Sequence, residues 1–432
     1  MRDIALLIIV GGLLPWILMR PQVGIYAWSW LGYMNPHRLT FGFAYSFPFA
    51  QSVALATLLS ILFWKQPKRI PMNGLVVLWF VFLAWLLVTT IFAMYSDHAW
   101  EQYAKVMKIQ LIIFLTMMVI RTRKEVDILL WVIALSIGFY GIKGGLFTIQ
   151  TLGGGRVWGP PGGYIQENNA LAVALLMVLP LFYYLRMQAK RAIVRHLMLG
   201  AMLLMVISVI GSQSRGALLA ICATGAFLWL KTPGKLLSGV LMVLLAIGIF
   251  SFMPQSWHDR MGLIENYQED DSAMGRIAAW KMAFNLGNGR ITGGGFNTWK
   301  PTTYRLYSDN PEDWDRYTAA HSIYFNMIGE HGWIGFILFA SIFISAWRMA
   351  SGIIKKARGS PDLKWAADLM RMMHVSFIAY GVGGAFLQLS YFDLPWHLVS
   401  IIIICRVIVI NELNDKSKVG VDQPHQQLAG KA

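Results

Sequence analysis

The sequence predicts an all-α protein that crosses a membrane about twelve times. Three observations carry this. The 432 residues are 56% hydrophobic and only 14% charged, whereas soluble domains carry roughly 25% charged residues. The mean hydropathy is +0.52. Apolar runs recur along most of the chain, each near the length of about 17–25 residues that spans a hydrocarbon core about 30 Å thick. Open-edged backbone cannot face lipid, so helices must carry these runs. A net charge of +15 invites a nucleic-acid partner, but the Lys and Arg cluster in short connections between apolar runs, the pattern of a membrane protein. The two cysteines, Cys222 and Cys405, fall in predicted spans, so no disulfide framework or zinc site is implied.

Taken in order, spans are expected at 4–34, 46–64, 73–94, 102–120, 125–147, 168–187, 192–211, 215–231, 235–254, 322–349, 370–390 and 396–411. The first opens "MRDIALLIIVGGLLPWILMRP" and lacks a small-residue cleavage site, so it reads as an uncleaved span, long or broken at Pro21. The basic connections "KQPKR" (65–69), "RTRK" (121–124), "AKRAIVR" (189–195) and "KKAR" (355–358) alternate with poorer ones. Alternation of this kind places them in the cytoplasm. The connections 95–101, 148–167, 212–214, 255–320 and 391–395 then face outward, and with twelve spans both termini are cytoplasmic. The expected organisation is a membrane domain over 1–411 and a polar, disordered cytoplasmic tail over 412–432.

Two outward connections are long. "QTLGGGRVWGPPGGYIQENN" (150–169) is rich in Gly and Pro and predicts turns. The loop 255–320 is the largest hydrophilic region, and a loop of that length is usually functional. Inside it, "SAMGRIAAWKMAFNLG" (272–287) predicts an amphipathic helix with Ile277, Trp280 and Phe284 on one face and Gly287 at its end. No internal repeat of the transporter kind is visible.

Cations at outward positions run against the charge rule and so mark candidate sites. Arg215 follows "GSQS" and opens a span, placing a guanidinium beside helix N–H groups, which is an anion site on physical grounds. Arg156 lies in the Gly-rich connection and Arg276 in the amphipathic helix. Lys105 and Lys108 sit one turn apart with Glu101 a turn earlier, and Lys143 lies near the outer end of its span. Snorkelling to headgroups, or pairing with Glu101, accounts for lysines placed this way equally well. In "AAHSIYFNMIGEHGWIG" (319–335), His321 stands at the water–membrane mouth, where a base meets substrate. Glu330 is nine residues on, which in a continuous helix means about 900° of rotation and about 13 Å of depth. Glu330 and His331 are therefore expected to tie helices together rather than pair with His321. The stretch "PEDWDR" holds a D-x-D at Asp313 and Asp315, and "EDD" (269–271) lies nearby. So short a motif in an acidic loop is a weak metal signal, and no metal or cofactor is expected.

The ordered set of Arg156 to Gly159 with Asn169-Ala170, then "SQSRGA" (212–217), then Gly275-Arg276 before Trp280, then "HS…GEHGWIG" (321–335), resembles the O-antigen ligase and polymerase superfamily, and within it the O-antigen ligase family. The stretch from Arg20 to Pro48 also resembles ligases of an exosortase-associated O-glycosylation branch. Many relatives carry His-Asn where this chain has His321-Ser322, and His331 inside the G-E-x-G element is particular to it. The resemblance implies a glycosyltransferase on the periplasmic side of the bacterial inner membrane, in lipopolysaccharide biosynthesis. The implied donor is a polysaccharide on undecaprenyl diphosphate and the implied acceptor is lipid A–core. Arg215, Arg276 and Arg156 would bind the diphosphate, His321 would be catalytic, and Lys105, Lys108, Glu330 and Trp280 would support them. A polymerase or a protein O-oligosaccharyltransferase would use the same residues. A lipid-linked oligosaccharide flippase is the competing class, but it would concentrate ionisable residues near mid-membrane.

Overall fold

In a computed structural model, residues 1–231, 235–255, 257–258, 271–314 and 317–422 are described. The chain is an all-α membrane protein. Its helices are α1 (Arg2–Met19), α2 (Pro21–Met34), α3 (Phe49–Phe63), α4 (Gly74–Ile91), α5 (Ser96–Val119), α6 (Arg123–Gln150), α7 (Asn168–Gln188), α8 (Ala192–Gly211), α9 (Arg215–Lys231) and α10 (Lys235–Phe252). They continue with α11 (Asp271–Gly289), α12 (Pro301–Tyr307), α13 (Ile323–Ala357), α14 (Lys364–Gly384) and α15 (Asp393–Asp422). Among the described residues eight helices are long and apolar enough to cross a membrane, so the expected count of twelve is not reached by that measure; α3 and α9 are shorter apolar helices.

Burial follows composition. In α7 and α15, 78% and 83% of the apolar window is inside the protein, as expected for helices that are hydrophobic all round. By contrast, α1 buries 17%, leaving side chains such as Ile8 and Ile9 on the surface. Helix starts are set locally. Asn73 accepts from the backbone N–H groups of Leu75 and Val76 to cap α4, and Thr122 with Glu125 forms a capping box on α6.

The connections sort into two ends of the bundle. At one end the Arg121 guanidinium reaches the Pro67 carbonyl, Arg123 bonds Gln188 at 3.0 Å and lies over the Trp365 ring, and Lys416 pairs with Asp362 at 2.6 Å. The basic connections thus gather together. At the other end Met94 N–H bonds Gly294, Asn297 bonds the His98 carbonyl and Asn168 bonds the Ser212 carbonyl.

Several expectations change. The first apolar segment is two helices, broken at Arg20 and Pro21, that fold back on each other. Asp3 accepts from the N–H groups of Gly42 and Ala44 at 3.0 and 3.1 Å, and the neighbouring segment lies against the Gly-rich loop, where a Cβ on Gly163 would come 2.7 Å from Asn35 Nδ2. Gln22, at the start of α2, bonds Glu125 at the basic end. The first residues therefore sit at the end of the bundle opposite the basic connections, while Lys416 is among them. Helix α14 stops at Gly384 rather than near 390, and residues 385–392 form an irregular segment. Helix α15 runs to Asp422, past the boundary expected at 411, and 423–432 lie outside the described residues.

Candidate functional site

His321 stands on an extended segment clamped from both sides. Trp280 Nε1 on α11 donates to the Ala320 carbonyl at 2.7 Å, and its ring stacks on Phe325 at 5.1 Å with 8° between planes. Tyr304 on α12 donates to the Thr318 carbonyl at 2.6 Å. His321 itself has φ +43, a left-handed conformation that costs a non-glycine residue about 1–2 kcal/mol. The clamps on Thr318 and Ala320 hold it there. Among the described residues, the five non-glycine ones with positive φ (Asn35, Leu152, Gln213, Asn297 and His321) belong to connections at this end, where strain of this kind tends to concentrate.

The face of α11 differs from the expected one. Ala279, Met282, Ala283 and Leu286 are the fully buried residues, whereas Phe284 is 45% exposed. The reason is closeness to α13: a Cβ on Gly287 would meet the Ile328 side chain at 2.7 Å, and one on Gly329 would meet Ala283 at 3.2 Å. Small residues therefore make the seam, and Trp280 and Phe284 flank it against Phe325 and Trp333.

The arginine-bearing elements converge on this segment. Burial holds the His321 imidazole below its ordinary pKa, the nearby Arg276 charge pushes it the same way, and Glu167 partly opposes them. Glu167 precedes Asn168, whose side chain donates to the Ser212 carbonyl at 2.7 Å. Ser214 caps α9 by accepting from Ala217 N–H, which places half-buried Arg215 in the first turn. Exposed Arg156 bonds Gln213 at 3.4 Å, and Gln213 in turn donates to the Gly153 carbonyl. Next to Arg215, a Cβ on Gly216 would lie 3.2 Å from Phe386, whose ring faces Trp280. The loops after α6, before α9 and before α13 thus meet around α11. Sequence reasoning singled out the three arginines, His321 and Asn169; it gave no role to Glu167, to Asn168, whose side chain makes the bond to Ser212, or to Gln213 within the "SQSRGA" stretch. Nothing in the local pattern distinguishes these, because their contacts cross between loops.

Beside this cluster lies a buried polar hub. Helix α13 breaks at Gly332, which has φ +66, nine residues after its start. Onto that break the segment 290–300 folds: Gly294 and Gly295 donate their N–H groups to the carbonyls of Gly329 and Glu330 at 2.9 and 2.8 Å. Only glycine fits at 332, since a Cβ there would approach the Ile291 carbonyl oxygen to 2.1 Å. The Glu330 carboxyl is 1% exposed. It accepts from Asn297 N–H at 3.0 Å, Trp299 Nε1 at 3.1 Å, Asn326 Nδ2 at 3.1 Å and the Tyr391 hydroxyl. His331 Nε2 is 2.6 Å from that same hydroxyl, and His331 Nδ1 is 2.7 Å from the Thr89 hydroxyl. With Nε2 protonated, His331 donates to Tyr391 and Tyr391 donates to Glu330, while the Thr89 hydroxyl lies within reach of both His331 Nδ1 and the Leu86 carbonyl, the latter at 3.0 Å. Glu330 and His331 thereby join α13 to α4, to the 290–300 segment and to the 385–392 segment.

The remaining candidates are dispersed. Lys105 is exposed and lies over the Tyr164 ring, 4.9 Å from its centre, rather than against Glu101. Lys108 and Lys143 are exposed. Asp313 sits in a short 3-10 turn; Asp315 and residues 269–270 lie outside the described residues. Among the described residues no three His, Cys, Asp or Glu side chains form a metal-binding group.

Two family models match the chain. Residues 1–190, which hold Arg156, Lys105 and Lys108, match a family of unknown function, DUF5935. Residues 200–340, which hold Arg215, Arg276, His321 and Glu330, match the family described as O-Antigen ligase. No curated protein matches the chain. Residues 200–340, from α8 through the break in α13, therefore form a domain of the O-antigen ligase family, the family that the motifs from Arg215 to Gly335 resemble.

Proposed function

We propose that the protein is an O-antigen ligase that transfers a polysaccharide from undecaprenyl diphosphate to lipid A–core at the periplasmic face of the bacterial inner membrane. The support for this reading is that the elements bearing Arg215, Arg276 and Arg156 lie around the His321 segment at one end of the helix bundle, with the Arg276 charge acting on His321. Guanidiniums at that depth suit a lipid diphosphate, because they bind its oxygens in bidentate pairs and stabilise the charge that grows as the anomeric C–O bond breaks. The imidazole of His321 is held below its ordinary pKa, so at neutral pH it is unprotonated and able to accept the acceptor hydroxyl's proton. The acceptor oxygen forms the new bond to the anomeric carbon, undecaprenyl diphosphate departs with the old oxygen, and a single displacement inverts the centre. The leaving group is already activated, so the reaction asks for no metal. The gathering of the basic connections at the far end supports the orientation, because cations favour the cytoplasmic side.

The test is reconstitution of the full chain with lipid-linked polysaccharide and, in turn, lipid A–core, a second lipid-linked glycan and a pilin-like protein, each with and without excess EDTA. Transfer to lipid A–core in EDTA is the expected result. Transfer only to the second glycan identifies a polymerase, and transfer only to the protein identifies a protein O-oligosaccharyltransferase. Loss in EDTA with recovery on adding magnesium overturns the metal-free mechanism.

A further inference from the structure

A cavity of about 330 Å³ opens beside the His321 segment, lined by His98, Asn297, Trp299, Lys300, Tyr317, Thr318, Ala319 and Gln388. It is at the small end of ligand pockets, which run from about 300 to 1,000 Å³. The hub described above builds its walls. Asn297 is held by its N–H to Glu330 and by its side-chain amide to the His98 carbonyl. Trp299 is held by its indole N–H to Glu330, and Gln388 donates to Asn326 Oδ1 at 3.1 Å. Each carboxamide donates one N–H to the frame, and among the described residues neither carboxamide oxygen accepts a hydrogen bond. The lining thus offers two fixed acceptors, the Lys300 ammonium, the Tyr317 hydroxyl, the His98 ring and aromatic surface.

That mixture discriminates between ligand classes. An acyl chain would leave the carboxamides and the ammonium unpaired, at a cost. A diphosphate would find one lysine here and none of the three arginines. A metal would find a single imidazole. A hydroxylated ring, with apolar faces for the aromatics and hydroxyls that both donate and accept, satisfies all of it. Ala319 lines the cavity and His321 is two residues on, so their Cα atoms are at most about 7 Å apart. The cavity and the arginine cluster share no residue, and His321, which feels the Arg276 charge, is two residues from the cavity wall at Ala319. We propose that this cavity is the subsite for the acceptor saccharide, seating the sugar whose hydroxyl meets His321 while the donor diphosphate lies with the arginines. The assignment to the acceptor rests on the transferase reading above.

The experiment separates the two. Purified full-length protein in detergent is titrated with free core oligosaccharide, released from lipopolysaccharide by mild acid, and binding is followed by saturation-transfer NMR with no donor present. The wild type should bind it. Lys300→Ala and Tyr317→Ala, which leave the frame bonds of Asn297, Trp299 and Gln388 intact, should each weaken binding about tenfold, the effect of losing one or two polar contacts, at unchanged thermal stability. In the reconstituted assay the same variants should raise KM for the acceptor and leave KM for the donor alone. No binding by the wild type, or equal binding by both variants, overturns the subsite; a rise confined to the donor KM overturns its assignment to the acceptor. Wild-type binding of the sugar without any transfer activity would sink the transferase reading and leave the saccharide site standing.

Discussion

Replacing Tyr391 by Phe tests whether the buried hub organises the site. The substitution keeps the ring, which packs against Phe296 with centroids 5.0 Å apart, and deletes one hydroxyl. That hydroxyl serves two partners: it donates to Glu330 and accepts from His331. Its loss leaves the Glu330 Oε2 with Asn326 alone and the His331 Nε2–H with no acceptor, in a place where Glu330 and His331 are 1% and 0% exposed. Side-chain hydrogen bonds in membrane proteins average about 0.6 kcal/mol and reach about 1.7 kcal/mol. Two such bonds give about 1–3 kcal/mol, with the upper half expected because one donor is stranded. The assay is reversible SDS unfolding in mixed micelles, with Thr89→Ala as the comparison: it removes the bond to His331 Nδ1 and a local one to the Leu86 carbonyl, which Thr90 also serves, and should cost less because it strands no buried donor. A double-mutant cycle should show coupling, since both bonds fix one imidazole. If Tyr391→Phe unfolded within about 0.3 kcal/mol of wild type, the hub would not be the hydrogen-bonded unit described, and its part in shaping the 297–300 wall would fall with it.

Three further outcomes are expected. His321→Ala should fold and bind lipid-linked donor but transfer about 10²–10⁴-fold more slowly, the range for losing a general base; near-normal transfer would remove the role, and failure to bind donor would make His321 a diphosphate ligand instead. The acid limb of the transfer-rate profile should lie below the ordinary imidazole value of about 6.5. Arg276→Gln removes a positive neighbour, so protonation becomes easier and the limb should move up in pH, while Glu167→Gln should move it down; an unmoved limb in both would mean another group titrates. Gly332→Ala puts a side chain at φ +66 against the Ile291 carbonyl and should destabilise by at least about 2 kcal/mol from backbone strain and steric overlap, measured by the same SDS titration; wild-type stability would show that the break is not fixed by that contact.

The sequence by itself determined the class of the molecule and the identity of its charged candidates. Apolar runs of helical length leave the chain one kind of structure in lipid, and an arginine among apolar residues is conspicuous whatever surrounds it. Gly and Pro marked the Gly-rich loop, and the motifs pointed to the family that matches residues 200–340. What only the tertiary structure decided lies in contacts between segments far apart in the chain. Arg20 and Pro21 turn one apolar segment into two helices, because nothing in a hydropathy average distinguishes a bend from a reversal. The face of α11 went to its alanines rather than its aromatics, since the deciding quantity was how near α13 comes. Tyr391, Glu167, Gln213 and the pair Asn297 and Gln388 carry no local signature: a tyrosine in a loop looks like any other until a carboxylate 61 residues away and a histidine 60 residues away arrive on either side of its hydroxyl. Hydrophobic periodicity is written residue by residue, whereas a buried polar network exists only once the chain has closed around it and every donor must find an acceptor without water.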